Sequence, residues 1–233
     1  MALIPSRYRV VTFDCYGTLV DWEKGIIDSV RPVLTARSLE RSDAEILECY
    51  ARLEALAERP PHRPYRQVLL DVAEGMASEW GFSPTGPERE CILSGFSDWR
   101  PFPDTVEALR ALHGRYRLAI ISNVDDDLFR ETSRRLGVAF DWVTTAGQAG
   151  SYKPDHGIFR MALERMGIEK ERVLHAAQSV YHDVVPASEM GLATVRVMRA
   201  SRAGEFGVSL PSRAAADATV PDLASLAALL GLD

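Results

Sequence analysis

The chain has 233 residues, 46% of them hydrophobic and 26% charged, with 27 Lys and Arg against 33 Asp and Glu and a formal net charge of −6. That length buries a full core in one large domain, or in a domain carrying an inserted subdomain, without help from disulfides. The charges are spread along the chain, which argues against a nucleic-acid partner; no apolar run spans a bilayer; and Cys15, Cys49 and Cys91 fit neither a disulfide framework nor a CxxC metal site.

In chain order, residues 1–6 lack the basic and apolar regions of a signal peptide, so a soluble protein of the reducing cytoplasm is expected. The run Tyr8, Arg9, Val10, Val11, Thr12, Phe13 is rich in β-branched and aromatic residues. It reads as a buried strand that delivers Asp14 to a turn at Tyr16, Gly17 and Thr18. From 22 to 99 the pattern is helical with no convincing strand, which reads as an inserted cap. Ser42 and Glu45 make a capping box, Ile46, Tyr50, Leu53 and Ala57 recur at helical spacing, and Pro60 and Pro61 stop that helix. A second helix is predicted over 65–80, with Leu69, Val72, Met76 and Trp80 on one face and Gly81 at its end.

From Pro101 helices and strands alternate. Asp104 and Glu107 open a helix to about His113, followed by a strand at 118–121, a helix at 127–136 and a strand at 142–145. The unit then repeats: helix 157–166, strand 173–177, helix 185–190, strand 194–198, a loop at 214–218 and a closing helix at 223–230. Alternation of this kind specifies βαβ units and a parallel sheet. The expected fold is therefore α/β, a Rossmann-like parallel sheet core formed by 1–21 and 100–233, with a helical cap at 22–99.

Three predicted strands end in polar residues: Phe13 leads to Asp14, Ile121 to Ser122 and Asn123, and Ala177 to Gln178 and Ser179. In a parallel sheet those carboxyl ends lie together, on the rim where ligands bind. Lys153 and Asp183 fall in loops after strands and join the same rim. Each residue also has a plainer use: Asp14, Ser122 and Asn123 as turn formers, Asp183 as a helix cap, Lys153 as a solvated surface lysine. Cys15 adjoins Asp14, but alternation along the strand turns it away, so a thiol nucleophile is not expected. A carboxylate nucleophile divides a difficult displacement into two easier steps, and a nearby cation is expected to keep its pKa low.

With these motifs in view, the chain resembles the haloacid dehalogenase superfamily, and within it the type II 2-haloacid dehalogenases, over nearly its whole length. The motifs occur in order: Phe13, Asp14, Cys15, Tyr16, Gly17, Thr18, Leu19, Val20 and Asp21; Ile121, Ser122 and Asn123; Tyr152, Lys153, Pro154 and Asp155; and Gln178, Ser179, Val180, Tyr181, His182 and Asp183. The resemblance implies that Asp14 forms a covalent ester, that Thr18, Ser122 and Asn123 hold Asp14 or the substrate, and that Lys153 neutralises negative charge. Asp183 would position Lys153 or the hydrolytic water. Tyr16, Ser179, His182 and Arg52 are the candidates for the substrate side, with Arg63 and Arg66 competing for the place of a cap arginine.

Phosphatase relatives carry a second Asp where this chain has Tyr16 and an acidic residue where it has Gln178. Both departures remove hard oxygen ligands and an acid, which favours displacement at carbon over phosphoryl transfer and implies neither metal nor cofactor. Val180 stands where an asparagine is expected in dehalogenases, and Phe159 where a tyrosine is. The expected activity is hydrolysis of small 2-halocarboxylic acids, with a small carboxylate as substrate and a homodimer as what the resemblance suggests. The alternatives are a Mg²⁺-dependent phosphatase, a hydrolase of another activated carbon such as a strained ring, and a catalytically silent binding protein.

Overall fold

Val10, Val11, Thr12 and Phe13 are all inaccessible to solvent, because β1 (Val10–Phe13) has strands on both sides and helices over both faces. The computed structural model describes residues 3–200 and 214–232. Met1, Ala2, 201–213 and Asp233, which the predicted core span includes, lie outside the described residues. The other strands are β2 (Arg117–Ser122), β3 (Trp142–Thr145), β4 (Val173–Ala177), β5 (Ala193–Val197) and β6 (Ala218–Val220). All pair in parallel in the order β3-β2-β1-β4-β5-β6. The chain runs from β1 through β2 to β3 on one side and returns to β4 on the other. The β1–β4 boundary is therefore the topological switch point, where an open α/β sheet leaves a crevice at its carboxyl end.

Between β1 and β2 the chain makes α1 (Trp22–Ala36), α2 (Asp43–Ala57), α3 (Tyr65–Glu79), α4 (Gly86–Arg89) and α5 (Cys91–Gly95). The Asp21 side chain accepts from the Lys24 amide to start α1, and Ser42 and Glu45 complete both halves of a capping box at α2. Ile46, Leu47 and Tyr50 of α2 bury against Leu69, Val72 and Met76 of α3, the apolar faces that the spacing indicates. The core helices are α6 (Thr105–His113), α7 (Asp126–Leu136), α8 (Ala146–Ala149), α9 (His156–Met166), α10 (Val185–Glu189) and α11 (Leu223–Leu229).

Some elements differ from expectation. The predicted loop at 214–218 runs into β6, a three-residue edge strand held by pairing with β5; so short a run carries almost no pattern of its own. β5 starts one residue earlier than predicted and ends at Val197, leaving Met198 exposed. Trp80 lies just past α3, as its C-cap, and Gly81 follows at φ +85°. Asp104 does not cap α6 with its side chain; it takes the Arg199 guanidinium at 2.7 Å and the Leu223 amide at 2.7 Å, tying α6 to β5's exit and to α11.

Candidate functional site

The carboxyl ends of β1, β2 and β4 converge on one buried charged centre. Lys153 Nζ lies 2.8 Å from Asp14 Oδ1, 2.7 Å from Asp183 Oδ1 and 3.0 Å from the Ile121 carbonyl oxygen, so all three ammonium hydrogens are used. The Thr18 hydroxyl donates to Asp14 Oδ2 at 2.7 Å and accepts from the Gln178 amide at 2.9 Å. Lys153 is 2% exposed and Asp183 1%, which rules out the surface-lysine use of Lys153. Nor does Asp183 act as a side-chain helix cap: it sits in a π-type turn, Val180–Val184, ahead of α10.

Local sequence explains the positions. Gly17 adopts φ +94°, and a Cβ there would lie 3.0 Å from Trp22 Nε1, so glycine is needed for the turn that folds Thr18 back over Asp14. Asn123 grips Lys153 by its backbone, accepting from the Lys153 amide at 2.7 Å and donating to its carbonyl at 3.1 Å. Ser122 is wholly buried at the end of β2, and its hydroxyl has no partner among the described residues.

Burial and the charge of Asp183 push the Asp14 carboxyl up, beyond what Lys153 and Thr18 pull down, so its pKa lies above the ordinary aspartate value. This corrects the expectation that the lysine keeps it low. The reason is chiefly burial, to which the charge of Asp183 adds, since one ammonium serves both carboxylates. For Asp183, burial acts upward too, but Lys153 and the His175 bond outweigh it and the net shift is downward. Burial works against the Lys153 charge, yet the two carboxylates raise its pKa.

The candidates for the substrate side are dispersed. Tyr16 Oη is bonded to Thr132 Oγ1 at 2.8 Å, and its ring packs on Phe96 and Trp99 under the cap. Ser179 Oγ accepts from the His182 amide at 3.1 Å, serving the turn. His182 faces a cavity of about 920 Å³ between cap and core, and burial lowers its pKa to about 4. Arg52 reaches that cavity's wall but is tied to Glu79 at 2.7 Å. Arg63 is tied to Asp71 and Arg66 to Asp127. Lys153 belongs both to the cavity wall and to the charged centre beneath it.

Several residues escaped the sequence reading. Arg59 lines the cavity, and its side chain makes no hydrogen bond or ion pair with any described residue. Glu54 and Glu58 line it too. Glu54 accepts from Tyr50 Oη at 2.9 Å and Tyr65 Oη at 2.5 Å; burial raises its pKa to about 7 and that of Glu58 well above the ordinary value. His175 lies in β4, opposite Thr12 in register, and the signal was present: one polar residue inside the apolar run Val173, Leu174, His175, Ala176, Ala177.

A six-stranded parallel sheet with helices inserted after β1, and a carboxylate–lysine–carboxylate centre at its switch point, define a class of α/β hydrolase with a capped acidic site. Residues 8–188 match the family of haloacid dehalogenase-like hydrolases. The chain belongs to that family and is an enzyme of the hydrolase type. It is 24% identical over 212 residues to (S)-2-haloacid dehalogenase 4A of Burkholderia cepacia, covering 85% of this chain and 86% of that one. It is also 36% identical over 105 residues to glyceraldehyde 3-phosphate phosphatase of Methanothermobacter thermautotrophicus, covering 44% and 46%. The crystal structure of an L-2-haloacid dehalogenase superposes with a TM-score of 0.80 at 25% identity, covering 96% of this chain and 99% of that one.

Proposed function

We propose that this hydrolase releases halide from small 2-halocarboxylic acids through an ester on Asp14. The observation that carries the reading is the grip on buried Asp14: Lys153 on one oxygen and Thr18 on the other. A carboxylate so aligned and desolvated is a pre-organised nucleophile. An Asp14 oxygen bonds to the carbon bearing halogen, and the halide leaves with its electron pair, inverting that carbon. Water then attacks the ester carbonyl: its oxygen stays on the Asp14 carboxyl, one of its protons is released to the site and the other passes to the departing alkoxide, so that the 2-hydroxy acid leaves with Asp14 restored as the carboxylate. Asp183, anchored by Lys153, is the carboxylate placed to receive that proton.

Arg59 supplies the cation that a substrate carboxylate needs in the cavity. Burial favours the neutral forms of Glu54 and Glu58, which limits their repulsion of an anion. The residues present do not fit a magnesium centre: Tyr16 and Gln178 bring no carboxylate, and among the described residues no group of three or more metal-ligating side chains is assembled. Tyr16 also offers no acid for a phosphate leaving group, its hydroxyl being engaged by Thr132.

The test is halide release from chloroacetate, fluoroacetate and 2-chloropropionate. Asp14→Asn is expected to lower the rate ~10⁴-fold, and turnover in heavy-oxygen water should label Asp14, read by mass spectrometry. No halide from any of the three overturns the proposal. The 36% identity to a phosphatase over part of the chain gives phosphoryl hydrolysis as the second reading. Chelator-sensitive release from p-nitrophenyl phosphate would favour it.

A further inference from the structure

From the bonding around Asp183 we infer that His175 is the positioning residue of the ester-hydrolysing step, fixing Asp183 so that one chosen oxygen faces the water. The inference rests on the aspartyl-ester reading but concerns a residue outside the four motifs. His175 is 1% exposed, and Nε2 lies 3.1 Å from Asp183 Oδ1, the oxygen that Lys153 also holds at 2.7 Å. An ionised carboxylate only accepts, so Nε2 carries the hydrogen; in the neutral ring Nδ1 then accepts from the Thr12 hydroxyl at 2.8 Å. Phe159 packs against the ring edge to face, centroids 5.4 Å apart. Thr12, His175, Asp183, Lys153 and Asp14 thus form one continuous chain of bonds across β1, β4 and the two loops beyond.

The consequence falls on the other oxygen. Both bonds to Asp183 converge on Oδ1, while Oδ2 is buried with no partner among the described residues. A buried oxygen left open is expensive unless something in the working site uses it. With two donors on Oδ1, the carboxylate cannot rotate to satisfy Oδ2 without breaking a charge-assisted bond. Oδ2 is therefore the acceptor for one proton of the attacking water as its oxygen bonds to the Asp14 ester carbon. The titratable groups that face Asp183 are Asp14 at the end of β1, Lys153 from the loop after α8, His175 from β4 and the adjacent His182. Of the two side chains bonded to Asp183, Lys153 and His175, only Lys153 also bonds to Asp14, so loss of His175 reaches the second step selectively.

The experiment compares the wild type with His175→Gln, whose amide reaches Asp183; His175→Leu, which offers nothing; and His175→Asn, whose shorter amide meets Thr12 only. Carbon-detected NMR of the Asp183 carboxyl in the substrate-free protein should show its midpoint rising by about one pH unit in the Leu and Asn variants and staying near wild type in the Gln variant. With 2-chloropropionate, mass spectrometry of quenched samples should show ester forming at near wild-type rate in all. Ester decay should slow about 10–100-fold in the Leu and Asn variants and recover in the Gln variant. If His175→Leu does not fold, the Gln and Asn pair decides. An unmoved Asp183 midpoint, or Gln and Asn variants equally slow, overturns the assignment. A wild type that never forms an ester overturns the aspartyl-ester reading instead, and the NMR midpoints still report on whether His175 controls Asp183.

Discussion

Lys153 is the residue on which the charged centre balances. Its ammonium is the shared partner of two buried carboxylates, and removing one member of a buried ion pair costs about 3–5 kcal/mol because the remaining charge stays out of water. Lys153→Met should therefore lose stability of that order in urea unfolding at neutral pH and form no detectable ester. Lys153→Arg should not restore activity, since a planar fork cannot aim at Asp14, Asp183 and the Ile121 carbonyl at once. The pH dependence follows from opposite shifts. In the proposed reaction Asp14 attacks as the anion, and its pKa is raised, so ester formation should fall off on acidification at a pH above that of an ordinary aspartate. Asp183 is shifted down, so its share of stability is present above the unfolded aspartate value, about 3.9, and is lost as pH falls through its lower folded value. Single-turnover ester formation and acid unfolding, each followed across pH, separate the two carboxylates.

At the scale of elements, α2 and α3 are joined by a hydrogen-bonded triad at the cavity wall as well as by apolar packing: Glu54 accepts from Tyr50 and Tyr65, whose hydroxyls lie 3.0 Å apart. The Glu54 pKa is raised to about 7, mainly by burial. Its contribution to stability is thus fully present below the unfolded glutamate value, about 4.3, and is lost as pH rises through about 7. Denaturant midpoints measured from pH about 4 to 8 should decline for wild type over that window and flatten in Glu54→Gln, which keeps an acceptor for both tyrosines but cannot ionise. An unchanged slope in the variant would rule the triad out as the source. Elements such as α2, with its Ser42 and Glu45 box, and β1, with its run of β-branched residues, were legible because local pattern determines them. So was the gathering of Asp14, Lys153 and Asp183 at one rim of the sheet, since strand ends and the motif order mark them. His175, Glu54 and Arg59 were not singled out: their importance comes from what the fold sets opposite them, Thr12 and Asp183 for His175 and the cavity for the other two. β6 was lost for the same reason, a three-residue strand made by its neighbour.

Across the whole molecule, the site depends on how the inserted helices are fastened to the sheet, and the fastening uses the same loops that build the charged centre. Pro64 at the start of α3 offers no side-chain cap; instead Asp125, from the loop after β2, accepts from the Tyr65 amide at 3.0 Å and the Arg66 amide at 2.9 Å. A core residue thus caps a helix of the inserted segment, at the end where a negative charge also suits the helix dipole. Tyr152 Oη adds a bond to the Arg63 carbonyl at 2.7 Å. Asp125 is two residues from Asn123 and Tyr152 is next to Lys153, and Asn123 holds Lys153 by its backbone. Seating the cap and aiming the ammonium are therefore one structural event. Asp125→Ala should cost about 1 kcal/mol in unfolding, speed hydrogen exchange at the Tyr65 and Arg66 amides, and raise KM more than it lowers kcat because the cavity closes less completely. Asp127→Ala, which removes the exposed Arg66 pair and a local bond from the Leu128 amide, should cost no more than about 1 kcal/mol and leave the Tyr65 and Arg66 amides unchanged. Equal exchange in the two variants would mean that the cap is held by its packing alone, with Asp125 contributing nothing to its seating.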